Sequence, residues 1–146
     1  MSQSLLFVCL GNICRSPIFE YVSRFHLGDR MHVQSAGILD AHRGEGADAR
    51  AVAIALSRGY DMRLHRAMPI ESLDLDLFDL ILPMDRRTMQ YLRSHLPVKV
   101  HHRLQLVMNL AGSPAEEVVD PYYGSQEDFV RVIDQAERLV QALRHV

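Results

Sequence analysis

The residues best suited to chemistry lie in one short segment near the start of the chain. Cys9 supplies a thiol, Gly11 permits a tight turn, and Arg15 places a guanidinium group six residues after the thiol. Successive backbone N–H groups in such a loop bind an anion, and the positive end of a following helix strengthens the site. Arg15 can donate two parallel hydrogen bonds to a phosphate. The same positive field favours the thiolate of Cys9, the form that attacks.

This combination predicts phosphoryl transfer. A nucleophile, an anion-binding loop and a bidentate clamp within seven residues suit transfer through a cysteinyl-phosphate intermediate. A nucleotide P-loop is the wrong interpretation, because the chain lacks the Gly-Lys-Ser/Thr sequence that such a loop requires. The residues expected to bind phosphate are Leu10, Gly11, Asn12, Ile13, Cys14, Arg15 and Ser16.

A strand before this loop and a helix after it must position these groups. Residues 5–8 form a continuous apolar run, which is typical of a strand buried on both faces. Pro17 is favourable in the first turn of a helix, where its missing N–H costs nothing. An apolar stripe continues that helix at Ile18, Tyr21, Val22 and Phe25.

Short apolar segments alternate with helical patterns along the rest of the chain. Further strands are predicted over 31–36, 78–82 and 98–100, and residues 73–77 are predicted to be a connection. Helices are predicted to begin after Asp48, Asp85 and Ser125. We expect one α/β domain over 1–146, doubly wound, with a short, about four-stranded parallel sheet and helices on both faces.

Length and composition exclude several classes of protein. The 146 residues are 48% hydrophobic and 23% charged, as in an ordinary globular domain rather than a disordered one. The net charge of −2 predicts neither nucleic-acid nor anionic-membrane binding. No apolar run reaches the roughly 18 residues of a membrane span. The start, residues 1–8, lacks the basic region and cleavage site of a signal peptide, so we expect a cytoplasmic protein.

Cys9 and Cys14 are the only cysteines of the chain. Two cysteines so close together exclude a secreted disulfide scaffold, and their spacing predicts no zinc site. We therefore expect neither metal nor cofactor. A thiolate is oxidised readily and a neighbouring thiol can trap the product as a disulfide, so the two cysteines are a candidate redox pair. The alternative interpretation of Cys14 is a small buried apolar residue.

The segment Cys9-Leu10-Gly11-Asn12-Ile13-Cys14-Arg15-Ser16-Pro17 resembles the signature loop of the low-molecular-weight protein tyrosine phosphatases. A second motif, Asp120-Pro121-Tyr122-Tyr123-Gly124, resembles the general-acid loop of that family. Ser35-Ala36-Gly37 and His65-Arg66-Ala67 are also similar to family segments. The resemblance covers nearly the whole chain.

The resemblance implies a role for each matching residue. Cys9 is the nucleophile and Arg15 holds the phosphoryl oxygens. Asp120 protonates the leaving phenolate and then takes a proton from the attacking water. The residues implied to hold the loop in shape are Asn12, Ser16, Ser35 and His65, and Ser16 can also donate to the Cys9 thiolate. The implied partners are a phosphotyrosine protein and, in a bacterium, a tyrosine kinase of polysaccharide export; the oligomeric state stays open, with a monomer expected.

Substrate preference depends on the residues around the loop. Ile13 matches the tyrosine phosphatases, whereas the related protein-arginine phosphatases carry Thr there. Tyr122 and Tyr123 are expected to line the cleft and stack on a substrate ring, the alternative being that they pack under the final helix. The family has an aromatic residue opposite them, but residues 38–42 of this chain read Ile-Leu-Asp-Ala-His, with Ala41 in its place. We therefore expect a less aromatic pocket.

Two other functions remain compatible with the loop. Arsenate reductases of similar fold use the same loop and resolve the adduct with downstream cysteines. No cysteine follows Cys14, so only a version that uses an external thiol is possible. The second alternative is a phosphate-binding module without turnover.

Overall fold

The computed structural model describes residues 3–144. Four positions lie outside the described residues: Met1 and Ser2, with which the expected signal-free start begins, and His145 and Val146, which end the expected 1–146 domain. Within residues 3–144, no helix combines the length and the apolar character needed to cross a membrane.

Three parallel strands and five α-helices make up the described chain. The strands are β1 (Gln3–Cys9), β2 (Met31–Gly37) and β3 (Leu80–Pro83), in the order β2-β1-β3. The helices are α1 (Arg15–Leu27), α2 (Ala49–Ser57), α3 (Arg86–His95), α4 (Val107–Leu110) and α5 (Gln126–Arg144). Short 3-10 helices cover Ile70–Ser72, Leu75–Leu77 and Val98–Arg103.

Strand β1 occupies the centre of the sheet, and this position explains its unbroken apolar sequence. Leu5 is in register with Val33 on β2 and with Leu80 on β3. Residues 5–8 are fully buried, since helices cover both faces. Because all three strands are parallel, their carboxyl ends meet at one edge, and β1 reaches that edge at Cys9.

Two hydrophobic clusters confirm the predicted doubly wound α/β class. The larger cluster joins Leu5 and Phe7 to α1, α2, α4 and α5 on one face of the sheet. The smaller joins Leu6 and Val8 to α3 on the other face, where Leu92 is fully buried. Alternate residues of β1 therefore supply both cores.

The predicted fourth strand over 98–100 is wrong. Val98–Arg103 form a 3-10 helix instead, in which the N–H of Val100 donates to the carbonyl of Pro97. Pro97 lacks the N–H that a strand would need and has the φ of −57° that suits the start of a helical turn. The edge position beside β3 is taken by a single parallel bridge between Ile81 and Leu104.

The predicted apolar stripe of the first helix is partly wrong. The helix begins two residues before Pro17, and Phe25 is 65% exposed rather than buried. Phe19 and Leu27 are buried in its place. By contrast the predicted helix starts are confirmed: Asp48 and Asp85 both accept hydrogen bonds from backbone N–H groups in the first turn of their helices.

We expect Leu92→Ala to lower the free energy of unfolding by about 2–5 kcal/mol, because the side chain is fully buried between α3 and the sheet. Leu77→Ala is the matched control, since Leu77 is 66% exposed and should change stability by less than about 0.5 kcal/mol. Urea denaturation followed by circular dichroism measures both values. Equal losses would contradict the assignment of Leu92 to a core.

Candidate active site

A cavity of about 210 Å³ opens at the carboxyl edge of the sheet. It is lined by Cys9, Leu10, Gly11, Ile13, Cys14, Arg15, Leu39, His42, Asp120, Tyr122 and Tyr123. The structure thus brings the two sequence motifs together across more than 100 residues of chain. Asn12 and Ser16 do not line the cavity; both are fully buried behind the loop.

Most carbonyl groups of the Cys9–Ser16 loop accept hydrogen bonds from donors outside the loop. The carbonyls of Cys9 and Leu10 accept from the N–H groups of Ile38 and Leu39, at 3.0 Å each. Three more carbonyls, those of Asn12, Ile13 and Cys14, accept from His65 Nε2, Asp48 N and Ile18 N. Among the described residues no acceptor takes the backbone N–H groups of residues 11–15. Those groups are available to an anion in the cavity.

Asn12 fixes the turn of this loop. Its φ of +59° lies in the left-handed region, which Asn tolerates better than most residues. Its Oδ1 accepts from the N–H of Met68 at 3.0 Å, which defines the orientation of the amide. Its Nδ2 therefore donates to Ser16 Oγ at 2.8 Å and to Ser35 Oγ at 2.9 Å.

Ser16 links this network to the candidate nucleophile. Its Oγ lies 2.9 Å from the Sγ of Cys9. Because Asn12 donates to that Oγ, the single hydroxyl proton of Ser16 goes to another acceptor: the sulfur at 2.9 Å or the Ala36 carbonyl oxygen at 3.4 Å. A thiolate carries no proton, so Ser16 must be the donor to the sulfur when Cys9 is ionised.

The network ends at Glu20, which is buried on α1 and was not predicted from the sequence. The Ser35 hydroxyl donates to Glu20 Oε1 at 2.5 Å, and Arg24 forms an ion pair with Oε2 at 2.7 Å. Burial raises the pKa of Glu20, and these two partners oppose the shift. A signal existed in the sequence: Ser16, Glu20 and Arg24 are spaced by four and so share one face of the helix.

His65 supports the loop from the other side. Its Nε2 is 2.8 Å from the Asn12 carbonyl oxygen, and only a donor N–H can satisfy that acceptor. Burial lowers the pKa of His65 and favours the neutral ring. The four residues that the resemblance assigns to loop support, Asn12, Ser16, Ser35 and His65, are therefore joined in one buried cluster.

Arg15 is held in place by groups that the sequence analysis did not assign to it. Its NH1 donates to Asp85 Oδ2 at 2.7 Å and to the carbonyl oxygen of Val118 at 2.9 Å. Burial opposes ionisation of Asp85, but the hydrogen bonds from Arg15 and Thr88 hold the pKa of Asp85 below its usual value. Asp85 thus caps α3, as predicted, and also anchors the guanidinium.

Asp120 lies in the irregular loop between α4 and α5. Its Oδ2 is 4.0 Å from Arg15 NH2, and its Oδ1 accepts from the N–H of Tyr122 at 3.1 Å. The carboxyl group is 41% exposed and borders the cavity that also contains Cys9. It can therefore exchange protons with a group bound there or with water.

Tyr122 and Tyr123 form one wall of the cavity. Their rings meet edge to face with centroids 4.9 Å apart, and Tyr123 is 96% exposed. The guanidinium of Arg50 lies 5.5 Å from the centre of the Tyr122 ring and also donates to the Tyr122 carbonyl at 2.8 Å. The alternative that Tyr123 packs under the final helix does not fit this exposure.

Leu39 and His42, rather than Ala41, also line the cavity. The His42 ring lies against Gly11, where an added Cβ would come within 2.8 Å of Cδ2. Its Nδ1 lies 2.9 Å from a carboxylate oxygen of Glu45. The expectation of a less aromatic pocket therefore needs correction, because an imidazole ring one residue later supplies an aromatic surface.

Cys14 is buried and lines the inner part of the cavity. Burial raises the pKa of its thiol, and the nearby carboxylate of Asp48 raises it further. Cys14 is therefore a neutral thiol at physiological pH and does not compete with Cys9 as a nucleophile.

Gly37 brings β2 into direct contact with the loop. A Cβ at this position would lie 2.9 Å from both the Gly11 carbonyl carbon and the Leu10 oxygen. Both neighbours are backbone atoms, which cannot rotate away. The close approach allows the hydrogen bonds from residues 38 and 39 to the loop.

We expect Asn12→Ala to lower kcat/KM up to about 100-fold, because the loop loses its internal support and the reacting groups shift. The free energy of unfolding should also fall, by about 1–3 kcal/mol, as buried partners lose their hydrogen bonds. Asn12→Gly keeps the left-handed backbone and loses only the amide. Exposed Asn109→Ala is the control, and wild-type activity in Asn12→Ala would contradict the supporting role.

The sequence pattern of one protein family matches residues 4–145; it is described as "Low molecular weight phosphotyrosine protein phosphatase". A pig protein of the same description is 34% identical over 149 residues, which cover 97% of this chain and 94% of the relative. The Mycobacterium tuberculosis protein named low molecular weight protein-tyrosine phosphatase A is 36% identical over 145 residues, covering 94% of this chain and 86% of the relative.

Solved structures are similar over nearly the whole chain. A protein tyrosine phosphatase from Entamoeba histolytica with Hepes in its active site superposes with a TM-score of 0.90 at 35% identity, covering 99% of this chain and 96% of that chain. The Vibrio vulnificus protein Wzb, solved in complex with benzylphosphonate, gives a TM-score of 0.88 at 30% identity and covers 99% of both chains.

Proposed function

This chain belongs to the low molecular weight phosphotyrosine protein phosphatase family, and we propose that Cys9, Arg15 and Asp120 carry out its reaction. The protein is accordingly a protein-tyrosine-phosphatase, a hydrolase that acts on phosphoproteins. One observation carries the assignment of the residues. The N–H groups of residues 11–15 have no acceptor among the described residues, and four of these residues, Gly11, Ile13, Cys14 and Arg15, line the cavity that Cys9 and Asp120 also border.

In the first step the phosphoryl group binds to the N–H groups of the loop. The Cys9 thiolate attacks phosphorus, so that a P–S bond forms and the P–O bond to the phenol breaks. Asp120 gives its proton to the departing phenolate oxygen. The hydrogen bond from Ser16 stabilises the thiolate before attack.

In the second step water attacks the cysteinyl phosphate. Asp120, now ionised, takes a proton from that water, and the P–S bond breaks to release phosphate and the Cys9 thiolate. The placement of Asp120 supports both roles, because its carboxyl group borders the cavity and is also open to solvent.

Arg15 is suited to hold the phosphoryl oxygens in both steps. Asp85 and Val118 fix its NH1, which leaves NH2 on the Asp120 side of the guanidinium. An arginine anchored through one nitrogen loses little further freedom when it binds an anion. Asp85 is thus a positioning residue rather than a catalytic one.

The tyrosines and His42 favour an aromatic substrate between them. The rings of Tyr122 and Tyr123, which meet edge to face, and the imidazole of His42 all line the cavity. A planar phosphotyrosine side chain would bury apolar surface against both. We further propose a monomeric enzyme whose substrates include a tyrosine kinase.

The general-acid role of Asp120 is tested by the leaving group. Tyrosine has a pKa near 10, so its phenolate needs a proton to depart, whereas nitrophenolate leaves unaided. We expect Asp120→Asn to slow phosphotyrosine hydrolysis about 10²–10⁴-fold and nitrophenyl phosphate hydrolysis far less. Steady-state kinetics on both substrates provide the comparison, with Cys9→Ser as the inactive reference. An equal loss on both substrates would remove Asp120 from the mechanism.

The redox role of Cys9 and Cys14 makes a separate prediction. Peroxide oxidises the Cys9 thiolate to a sulfenic acid; the Cys14 thiol then attacks that sulfur, loses its proton and releases water as the disulfide forms. We expect dithiothreitol to restore activity to the wild type but not to Cys14→Ser after peroxide treatment. Recovered activity and the mass of the oxidised protein are measured. Equal recovery of the two proteins would refute protection by Cys14.

A further inference from the structure

Positive charge is concentrated in one segment of this acidic chain. Residues 86–103 contain five Arg or Lys residues and no Asp or Glu. Since the whole chain has 16 basic and 18 acidic residues, the remainder holds 11 and 18 and has a net charge of −7. The segment comprises α3, whose Leu92 packs in the smaller cluster, and the 3-10 helix Val98–Arg103, which is followed at once by Leu104 of the same cluster.

Four of the five cations are exposed and Arg103 is half-buried, and most of the five have no acidic partner. Arg86 pairs with Glu117 and Arg103 with Asp76. Within residues 3–144, no carboxylate forms an ion pair with Arg87, Arg93 or Lys99.

Arginines elsewhere in residues 3–144 are more often paired with a carboxylate. Most of them lie within ion-pair distance of a carboxylate. Examples are Arg43 with Asp40, Arg58 with Asp134, Arg63 with Asp61, and Arg131 with Asp128. Outside the segment, Arg30, Arg66 and Arg144 have no carboxylate partner within residues 3–144, so three of eleven cations are unpaired there, against three of five in the 86–103 segment.

The position of Arg87 is unfavourable for the helix itself. Arg86 and Arg87 occupy the first turn of α3, which contains no acidic residue. The amino end of a helix carries partial positive charge and favours acidic side chains. Arg93 lies in the last turn, where the helix does favour a cation. A cation placed against the local preference and left unpaired points to a partner outside the chain.

The segment starts at the active site. Asp85, which anchors Arg15, immediately precedes α3, and Glu117, which pairs with Arg86, is three residues before Asp120. The ten residues of α3 extend for about 15 Å from that point. About five residues of extended peptide span the same length.

We propose that the unpaired cations of this segment, Arg87, Arg93 and Lys99, dock an acidic stretch of the phosphoprotein substrate. This surface, the α3 cationic surface, deepens the proposed function and rests on it. Phosphotyrosine occupies the cavity while carboxylates on the same chain, several residues away, lie along α3. Opposite charges at an interface rim raise the rate of productive encounter and set partner preference.

Two phosphotyrosine peptides test this proposal. Their sequences are identical except at four positions, which lie four to seven residues from the phosphotyrosine and are divided between its two sides. The first peptide has Glu at these four positions and the second peptide has Gln. We expect wild-type kcat/KM to be about tenfold higher for the Glu peptide at low salt, mainly through KM. The preference should vanish near 0.5 M NaCl, where charges are screened within a few ångströms.

The double variant Arg87→Glu with Arg93→Glu should abolish or reverse the preference. The matched control is Arg30→Glu with Arg144→Glu, which makes the same change in net charge. Arg30 and Arg144 are exposed, have no carboxylate partner within residues 3–144, and lie near the opposite end of the sheet. This control should keep a preference close to that of the wild type. If thermal unfolding shows that the charge reversal impairs folding, the double variant Arg87→Gln with Arg93→Gln is used in its place.

The outcomes separate the docking surface from the proposed function. Hydrolysis of both peptides at equal rates by the wild type overturns the docking surface alone. Hydrolysis of neither peptide overturns the proposed function. An equal loss of preference in the control variant assigns it to overall charge and also overturns the surface. A change in the sedimentation coefficient of the Arg87/Arg93 variant also overturns the docking surface, because it would show that the surface is a contact between copies of the chain.

Discussion

The Cys9–Ser16 loop can bind an anion only because its carbonyl groups are held elsewhere. A loop with outward N–H groups and unpaired carbonyls would present both charges to a phosphate and lose most of the attraction. Here β2 and the residues that follow it bond two of those carbonyls, and His65 bonds a third. The sheet, the helices and the buried histidine all contribute to one result: five loop carbonyls are paired, while the N–H groups of residues 11–15 have no acceptor among the described residues.

A chain of polar side chains runs from this loop into the core. Asn12, Ser16, Ser35 and Glu20 are all buried; Asn12 donates to both serines, and Ser35 donates to Glu20. Buried polar groups without partners would be costly, so the network is stable only when complete. This dependence couples α1 and β2 to the geometry of the nucleophile. It also explains why a small domain maintains a charged residue on the inner face of its first helix.

The sequence was sufficient to predict the α/β class, the loop at the end of β1 and the pairing of two distant motifs, because these depend on apolar patterning and local residue type. The sequence was insufficient where tertiary contacts determine the local structure. Val98–Val100 looked like a strand until Pro97 and the Leu104 bridge determined the sheet edge. Phe25 fitted a helical stripe, but it packs against the rings of His26 and Tyr60 near the surface and stays exposed. Spacing by four places Glu20 on one helix face with Ser16 and Arg24, but it does not reveal the bond to Ser35. Asp85 and His42 contact Arg15 and Gly11, which are distant in sequence.

Gly37 and the side chains around the loop differ in how much sequence change they tolerate. The contacts that β2 makes with the loop at Gly37 are between backbone atoms, so they remain when most neighbouring side chains are substituted. The same closeness means that position 37 has no room for even a methyl group. Over evolutionary time the surrounding walls, such as Leu39 and His42, are free to diversify and alter which substrates are preferred. The glycine beneath them is not, and so substrate range can evolve while the reaction stays the same.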